Sequence, residues 1–512
     1  MVAVATTLRR LWSAVRRLPW QRFGAGVLAG AAGLLLTFLL RLYGLGIFLP
    51  EEAVNFAVGR LPGELESFFI HTLGAWAKAL ALLVAIGVFL TLAGILAVFF
   101  RRLQRRVPSR WGLIGVYALA SAGLSLLIVL PLLGDGLVGA QSAAGPWAAG
   151  FSTLLGSLLY AAFLDYFLVE VKAKHPQGFG FTRREFIRFT AVALFASAIA
   201  IAGLSAILPK VARLAFASVA EMLGKEVTPN AEFYTVTKNV IDPSVDGGSW
   251  RLGVDGLVTA VASHSLSDLN ARMAVEEHVT LECVSNEVGG NLISTAKWSG
   301  VRLADLLDAA GVQPDADWVR FTCADGYIVG VPMAKARDPR TLVALRMNNE
   351  VLPDRHGFPS RIVVPGLYGM FHAKWLTNVT AVQGEVLGFW QQKGWTNEGR
   401  IRSTAILATP PADSVISGAV TLGGVAFSGD RGISRVEVST DGGSTWSAAT
   451  LKTALSPLTW VIWTFPWTPP RSGSYRILAR AVEGDGTAQE SGPSPPFSRG
   501  ASGYDSVTLL VS

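Results

Sequence analysis

Residues 279–290 have the sequence VTLECVSNEVGG, and they place a cysteine where a strand changes into a turn. Val279, Leu281 and Cys283 alternate with polar residues, which is the period of a half-buried strand. The residues after Cys283 favour a turn, because they include an asparagine and two glycines. A strand that stops at a turn presents its last side chain and several free backbone amides to one space. This arrangement suits a thiolate that binds a metal or an anion.

The cysteine content restricts the other interpretations. The chain contains two cysteines, Cys283 and Cys323, which are too few for a disulfide framework or a four-cysteine zinc site. Cys323 alternates within a second strand pattern, and we predict that it lies in the core. Two alternatives stay open for Cys283 on these grounds. It is a small buried hydrophobic residue, or it forms a disulfide with Cys323.

The length and composition predict several domains, one of them in a membrane. The chain has 512 residues, which corresponds to about three domains of ordinary size. Its hydrophobic fraction is 51%, its charged fraction is 16% and its mean hydropathy is +0.41. These values exclude a disordered chain, a collagen and a wholly soluble protein.

Five apolar segments are long enough to cross the ~30 Å hydrocarbon core of a bilayer as helices. They cover residues 24–48, 73–100, 111–134, 147–169 and 186–208. Basic residues cluster before the first segment, after the second and around the start of the fifth. The positive-inside rule then places the N-terminus in the cytoplasm and everything after Leu208 outside it. We expect a bacterial inner membrane, with this part on its periplasmic side. Because these residues explain the net charge of +7, we predict membrane lipid and no nucleic acid as a partner.

A pair of arginines precedes the fifth apolar segment. Residues 182–188 read TRREFIR and resemble a twin-arginine signal, which exports proteins that have already folded. The alternative is an ordinary basic flank of a membrane helix.

Changes in composition and hydrophobic pattern along the chain predict the domain organisation. The parts are a basic cytoplasmic segment (1–22), four transmembrane helices (23–170), the twin-arginine-like segment with a fifth transmembrane helix (171–210), and two extracytoplasmic domains (226–405 and 406–512).

Charged and small residues interrupt the apolar segments. Arg41, Lys78 and Asp165 are charged residues within their segments, which makes them functional candidates, but they lie toward the segment ends and we favour the alternative that their charges reach the water interface. The glycines of residues 24–30, GAGVLAG, form a pattern typical of close helix packing.

The two extracytoplasmic domains differ in their patterns. Residues 226–405 combine alternating strand patterns with short helices predicted at 265–273 and 303–310, which indicates an α+β domain. Residues 406–512 contain only strand and turn patterns, which predicts a β-sandwich.

Ordered motifs carry a resemblance to a known family. They read LECVSN from Leu281, WSGVRL from Trp298, DGY from Asp325, MNNEVLP from Met347, HGFPSRIVVPG from His356 and KWL from Lys374. In this order they resemble the sulfite oxidase family of molybdenum enzymes. Residues 406–512, with FSGDRGI and VEVSTDGG, resemble the immunoglobulin-like domain through which members of that family dimerise. The resemblance therefore implies a sulfite-oxidase-like domain, an immunoglobulin-like sandwich and a homodimer.

The resemblance also implies a cofactor, namely molybdenum bound by a single pyranopterin dithiolene. Cys283 would be the one protein ligand, since a soft thiolate suits a metal that already carries sulfur ligands. The phosphate of the pterin would be held by Arg361 and Lys374, with His356 and His372 as supporting donors.

Further residues are assigned by the same resemblance. Tyr234, Lys238 and Asn239 match a segment that lies along the cofactor. Arg431, from the second domain, matches an arginine that reaches the substrate pocket. The alternative for Arg431 is a solvated arginine in a hairpin.

Two departures from the family pattern bear on the substrate. Glu287 stands where sulfite oxidases have an arginine, and Leu345 stands where they often have a tyrosine. Because an acid would repel sulfite, sulfite is not the favoured substrate, and the expected function is two-electron oxygen-atom transfer on a small oxyanion or a sulfoxide-type substrate. A quinol-fed sulfoxide reductase and a non-catalytic interaction protein stay open as alternatives. The redox partner would be a c-type cytochrome or the quinone pool.

Overall fold

The computed structural model describes residues 20–65, 76–171 and 213–512, apart from residues 105, 108, 143 and 240. The basic N-terminal segment to residue 19, the twin-arginine-like segment and the predicted fifth membrane helix lie outside these residues. The chain divides into two compact units. The first contains the helices and the short stretch Lys238–Ile241, and the second contains nearly all of the chain from residue 213 onward.

Four helices of the first unit, among the residues described, are long and apolar enough to cross a membrane. The first four predicted segments are therefore confirmed as apolar helices. The elements are α1 (Trp20–Leu42), α2 (Leu49–Arg60), α3 (Trp76–Gln104), α4 (Arg110–Leu124) and α5 (Gly145–Asp165). A π-helical turn, Ser125–Val129, and Leu130–Leu132 extend α4, the 3-10 turn Leu137–Gly139 follows, and the π turn Tyr166–Val171 extends α5.

Glycines let α1 pack closely on α3. A β-carbon on Gly30 would lie 2.6 Å from the β-carbon of Ala93, and one on Gly26 would lie 2.7 Å from the carbonyl oxygen of Ala93. Only glycine fits at such distances. The packing interpretation of residues 24–30 is confirmed for these two glycines, whereas Gly24 faces open space.

Charged residues of the helical unit are paired inside it. The guanidinium of Arg41 donates two hydrogen bonds of 3.0 Å to Glu51. The carboxylate of Asp165 is 1% exposed and accepts a hydrogen bond of 2.7 Å from Arg110 Nε. The expectation that Arg41 and Asp165 only reach the water interface was wrong, because a buried charge in an apolar bundle needs a partner of opposite sign.

Two β-sheets form the first part of the larger unit. One has the strand order β2-β1-β10-β5-β6, in which only β1 and β10 are parallel, and the other has the order β3-β4-β7-β8 with β9 beside β7. The strands are β1 (Arg251–Gly256), β2 (Ala262–Ser265), β3 (Val275–Glu282), β4 (Ile293–Arg302), β5 (Trp318–Cys323), β6 (Ile328–Pro332), β7 (Leu342–Met347), β8 (Glu350–Val351), β9 (Arg361–Val363) and β10 (Leu376–Val382).

Short helices accompany these sheets. They are α6 (Val219–Gly224), α7 (Leu266–Ala271), α8 (Leu303–Ala310) and α9 (Met333–Ala336). The structure also has 3-10 turns at Asp354–His356, Gly369–Phe371 and Gln391–Lys393. Both predicted helices are present, and α7 begins at a capping box made by Ser265 and Asp268.

Two further sheets form the C-terminal part. Their orders are β11-β13-β17-β16 and β12-β19-β18-β14-β15. The strands are β11 (Thr404–Thr409), β12 (Val415–Ile416), β13 (Val420–Phe427), β14 (Ile433–Ser439), β15 (Ser447–Ala448), β16 (Thr450–Leu451), β17 (Val461–Trp467), β18 (Gly473–Glu483) and β19 (Asp505–Val511). Leu407, Trp463 and Ile477 from the two sheets share one hydrophobic cluster. The predicted β-rich domain is therefore present.

A second hydrophobic cluster lies beneath the end of β3. Phe233, Val279, Leu281 and Trp298 belong to it, each no more than 2% exposed. Burying a side chain of this size contributes about 1.5–3 kcal/mol, so the cluster holds the strand that carries Cys283 firmly in place.

Candidate functional site

Cys283 lies directly after the end of β3, as the sequence predicted. Its backbone amide donates to the carbonyl of Leu292 at 2.9 Å, which continues the ladder between β3 and β4 by one residue. Both cysteines are free thiols, so the disulfide interpretation was wrong. Cys323 is 3% exposed and belongs to the main hydrophobic core, which confirms its predicted place.

Asn286 holds the turn that follows Cys283. Its backbone amide donates to the carbonyl of Cys283 at 2.9 Å. Its side-chain nitrogen donates to the carboxylate of Glu282 at 3.0 Å, and its side-chain oxygen accepts the amide of Leu292 at 2.9 Å. One amide side chain, which offers both a donor and an acceptor, therefore ties the end of β3 to the start of β4.

The thiol of Cys283 is 8% exposed and has polar partners in Ser285. The hydroxyl oxygen of Ser285 lies 3.0 Å from the sulfur. Burial raises the pKa of the thiol, and the hydroxyl and backbone amide of Ser285 partly offset this rise. The free thiol is therefore protonated at neutral pH. A bound metal would supply the positive charge that displaces the proton.

Two tyrosines, Tyr234 and Tyr327, adjoin the cysteine. A β-carbon placed on Gly369 would lie 2.5 Å from the hydroxyl of Tyr234 and 3.7 Å from the α-carbon of Cys283, so these residues are in close contact. The hydroxyl of Tyr327 donates to the carbonyl of Met370 at 2.7 Å. Burial raises the pKa of both tyrosines, so both hydroxyls keep their protons and can donate hydrogen bonds.

Arg361 begins β9 and is 5% exposed. Its terminal nitrogens donate to the carbonyls of His356 and His372, each at 3.1 Å, and its guanidinium carbon lies 4.9 Å from the ring centre of Trp298. Its Nε atom is buried without a partner, and no carboxylate among the described residues pairs with it. Burial lowers its pKa to about 10, so the group stays charged at neutral pH. A buried cation with a free N–H fits an anionic ligand.

His356 and His372 are buried and neutral. Nδ1 of His372 accepts the amide of Val364 at 3.2 Å, and its Nε2 lies 3.0 Å from the carbonyl of Leu367. Nε2 of His356 lies 2.8 Å from the carbonyl of Asn230. Burial lowers the pKa of His356 to about 4 and that of His372 to about 3. Backbone groups engage both ring nitrogens of His372, so the ring has no donor left for a phosphate, although the sequence had predicted such a donor. His372 instead supports the buried guanidinium through its carbonyl oxygen.

The structure places the remaining predicted cofactor residues as follows. Lys374 is partly buried, and its Nζ donates to the carbonyl of Arg355 at 3.1 Å. Tyr234 belongs to the same unit as Cys283, whereas Lys238 and Asn239 belong to the helical unit.

Within the helical unit, Asn239 has two lysine contacts. Lys78 Nζ donates to its carbonyl at 2.9 Å, and Lys238 Nζ donates to its side-chain oxygen at 3.1 Å. The charge of Lys78 therefore binds a backbone carbonyl.

Arg431 is held by a buried carboxylate. Its Nε and one terminal nitrogen donate to Glu483 at 2.5 and 2.8 Å, and the same terminal nitrogen donates to the carbonyl of Ile401 at 2.8 Å. The other terminal nitrogen is buried without a partner. The solvated-hairpin interpretation was therefore wrong, because the side chain is 14% exposed and fixed on both sides.

Tyr368 lies near both Arg431 and Glu282. Burial raises the pKa of Tyr368, Glu282 raises it further and Arg431 lowers it, so both charged residues are within electrostatic reach of this hydroxyl. Glu282 directly precedes Cys283 in the chain. Arg431 and the residue before Cys283 therefore share one neighbour, Tyr368.

The two positions that depart from the family pattern differ in exposure. Glu287 is partly exposed in the loop after Cys283, and its carbonyl accepts the amide of Gly290 at 2.9 Å. Leu345 is 3% exposed and packs in the main core.

The sequence had suggested no role for Glu282, Ser285 or Gly369. Glu282 is 6% exposed, one of its oxygens has no partner, and burial raises its pKa to about 7. The signal for Glu282 and Ser285 was that both are polar residues close to Cys283 in an otherwise apolar run. No local signal marks Gly369, because its contact with Tyr234 joins distant parts of the chain.

Two family models match residues that belong almost entirely to the larger unit. The oxidoreductase molybdopterin binding domain matches residues 239–390, and the Mo-co oxidoreductase dimerisation domain matches residues 398–490. The first range contains Cys283 and Arg361, and the second contains Arg431.

Known proteins match the chain over different shares of its length. The mitochondrial sulfite oxidase of Homo sapiens is 35% identical over 44% of this chain and 49% of its own length. The chain therefore spans about half the length of this relative. The crystal structure of the sulfane dehydrogenase SoxCD from Paracoccus pantotrophus matches 55% of this chain and 80% of its own, with 23% identity and a TM-score of 0.49.

Two further relatives differ in the share that is matched. A protein of Azospira oryzae described as a putative protein-methionine-sulfoxide reductase subunit, YedZ1, is 33% identical over 30% of this chain and 56% of its own length. The sulfite oxidase of Gallus gallus is 31% identical over 54% of this chain and 71% of its own length. Since that sulfite oxidase is matched over most of its length and family models match both β-containing domains, the chain belongs to the sulfite oxidase family of molybdopterin-dependent oxidoreductases.

Proposed function

We propose that this protein is a membrane-anchored molybdenum oxidoreductase that performs two-electron oxygen-atom transfer on a small substrate, on the extracytoplasmic side of a bacterial inner membrane. One observation carries the proposal. A free, buried thiol at Cys283 and a buried guanidinium at Arg361, whose Nε has no partner, both lie within electrostatic reach of Tyr234. A soft ligand for a metal and a cation for an anionic group are the two features that a metal–pterin phosphate cofactor needs from a protein.

The residues fit a molybdenum atom carried by a single pyranopterin dithiolene. When bound, this cofactor supplies the two-electron chemistry and the oxygen exchange. Cys283 would be the protein ligand to the metal, and Ser285 stabilises its thiolate. Arg361 would hold the phosphate through its free Nε, with Lys374 as a second cation.

Other residues would complete the cofactor site. Tyr234 would donate a hydrogen bond beside the metal ligand, while His356 and His372 orient Arg361 through their carbonyls. Lys238 and Asn239 are proposed to lie along the cofactor, which rests on the family resemblance alone.

Arg431 is the proposed substrate residue. Glu483 and the carbonyl of Ile401 fix its guanidinium and leave one buried N–H pair without a partner, which can receive an oxygen of the substrate. The overall reaction balances as substrate + H2O → oxygenated substrate + 2H⁺ + 2e⁻, and a reductase runs it in reverse. A c-type cytochrome or the quinone pool would exchange the electrons.

The C-terminal domain supports a homodimer. It matches the family's dimerisation model over residues 398–490, and we propose that it has the immunoglobulin-like fold. The four apolar helices would anchor each subunit in the membrane lipid.

Metal analysis tests the proposal. The full chain is made in a molybdate-replete host with intact cofactor synthesis, together with Cys283→Ser and the matched variant Cys323→Ser. We expect molybdenum, pterin and turnover in the parent protein and in Cys323→Ser, and loss of turnover with a reduced molybdenum content in Cys283→Ser, where the dithiolene alone holds the metal. Parent protein that contains neither molybdenum nor pterin would reject the proposal.

A sulfoxide reductase is the second candidate. It is favoured by Glu287, which puts an acid in the loop after Cys283, and by the relative described as a methionine-sulfoxide reductase subunit. Turnover of the loaded protein separates the two directions. Oxidation of sulfite by an added acceptor supports the oxidase, and consumption of a sulfoxide by the reduced protein supports the reductase.

A further inference from the structure

The first residues of the larger unit after the apolar segments run against the loop that carries the metal ligand. We call residues 213–216 the strap. The amide of Leu214 donates to the carbonyl of Gly289 at 3.1 Å, and Arg213 and Gly290 form an isolated β-bridge. The amide of Phe216 donates to the carbonyl of Ala408 at 2.8 Å. The strap therefore joins the loop after Cys283 to the end of β11.

Arg213 adds an ion pair to this connection. Its guanidinium contacts both carboxylate oxygens of Asp505 at 2.7 Å. Asp505 is 1% exposed, and one of its oxygens also accepts the amide of Leu407 at 2.9 Å. A carboxylate this deeply buried requires a cation, so the position of Arg213 is set by the first residue of β19.

Gly289 is the point where the three segments meet. Its φ of +76° favours glycine, and a β-carbon there would lie 2.6 Å from Asp505 Oδ1 and 2.7 Å from a terminal nitrogen of Arg213. The loop backbone, the guanidinium and the carboxylate are therefore packed without room for one more carbon atom.

We infer that Arg213 is a positioning residue for Cys283. Asn286 holds the loop of residues 284–292 from the inside, and the ion pair between Arg213 and Asp505 holds the same loop from the outside at Gly289. A metal ligand must be held to within about 0.5 Å of its working geometry, which requires supporting contacts around it. The inference rests on the proposed role of Cys283 as the metal ligand.

The two cysteines provide a test with an internal control. The cofactor-free full chain is treated with iodoacetamide, and the modified peptides of Cys283 and Cys323 are quantified separately. Cys323 is buried in β5, outside the loop of residues 284–292, so its rate reports global opening. In Arg213→Ala we expect the rate at Cys283 to rise about tenfold, which corresponds to about 1.4 kcal/mol of local opening, with the rate at Cys323 unchanged.

Two variants complete the design. Arg213→Lys keeps the charge and should restore most of the protection of Cys283. Arg476→Ala removes an exposed arginine that contacts Ser506 of β19 and should leave both rates unchanged. Equal rises at Cys283 and Cys323 in Arg213→Ala, or no rise at either, would overturn the inference, since the arginine would then act on global stability alone or on nothing.

Hydrogen exchange on the loaded protein gives a second measurement. Amides of residues 284–292 should exchange faster in Arg213→Ala, while those of β5 should not. The outcome is independent of the proposed function. Absence of molybdenum would reject the cofactor but leave the loop measurement valid, whereas unchanged loop protection in a protein that contains molybdenum would reject only the role of Arg213.

Discussion

The hydroxyl of Tyr234 lies so close to Gly369 that a β-carbon on the glycine would be 2.5 Å from it. The same β-carbon would be 3.7 Å from the α-carbon of Cys283. The missing side chain therefore lets the turn Gly369–Phe371 close over the end of β3. This contact joins three distant parts of the chain at the proposed metal ligand.

Gly369→Ala should displace Tyr234 and weaken cofactor retention. We expect less molybdenum per chain in the purified protein, and partial recovery in the double variant with Tyr234→Phe, because the phenyl ring lacks the clashing oxygen. Gly492→Ala is the control, since a β-carbon there meets open space. Full molybdenum content in Gly369→Ala would show that the close contact has no role in binding.

Arg361→Met should remove the proposed phosphate anchor. The variant also leaves the carbonyls of His356 and His372 without these donors, at a cost of about 1–3 kcal/mol each. We expect loss of pterin, measured by fluorescence of its oxidised form, and a lower unfolding midpoint. Arg320→Met, at an exposed position of β5, should retain the pterin. Equal pterin content in the two variants would contradict the assignment.

Arg431 and Glu483 should depend on each other for stability. Replacing either one alone by methionine leaves a buried charge without its partner, which costs roughly 3–5 kcal/mol. The double variant removes both charges and should recover much of this loss. Urea unfolding of the full chain, followed by tryptophan fluorescence, measures the cycle. Simple addition of the two single effects would show that the pair is not coupled.

The buried histidines should make the larger unit sensitive to acid. Burial lowers the pKa of His372 from 6.5 to about 3, so the unfolded chain binds a proton below pH 6.5 that the folded chain does not take up until about pH 3. The contribution of His372 to the free energy of unfolding is therefore fully present above pH 6.5. It falls with decreasing pH across this window, by about 1.4 kcal/mol per pH unit.

His372→Gln tests this pH dependence. Glutamine offers a donor and an acceptor but does not titrate. The slope of unfolding free energy against pH should therefore be smaller in the variant, by the contribution of one proton. Gly492→Ala should keep the slope of the parent protein. An unchanged slope in His372→Gln would mean that this histidine is not held neutral by the fold.

The helical unit offers a similar cycle. Arg110→Ala leaves the buried carboxylate of Asp165 without its cation, and we expect a lower thermal midpoint in detergent. Adding Asp165→Asn should recover most of the loss, since the buried charge is then gone. A single variant as stable as the parent protein would show that Asp165 does not need Arg110.

Local patterns in the sequence predicted the apolar helices and the place of Cys283. Hydropathy over one helix and alternation over one strand depend only on neighbouring residues, and the order of the motifs added Arg361 and Arg431. The pairing of the charges in the helices was not predicted, because it depends on residues that are far apart in the chain. Asp165 and its partner Arg110 are 55 residues apart, so no local pattern shows that they pair.

The sequence by itself determined which residues could bind a metal, hold a phosphate or cross a bilayer, since these capacities belong to side-chain chemistry and to periodicity along the chain. Only the tertiary structure decided which groups are left unsatisfied. The free Nε of Arg361, the engaged ring of His372 and the ion pair between Arg213 and Asp505 each depend on burial among distant segments. Burial sets the cost of an unpaired charge and is not a property of any short stretch of sequence.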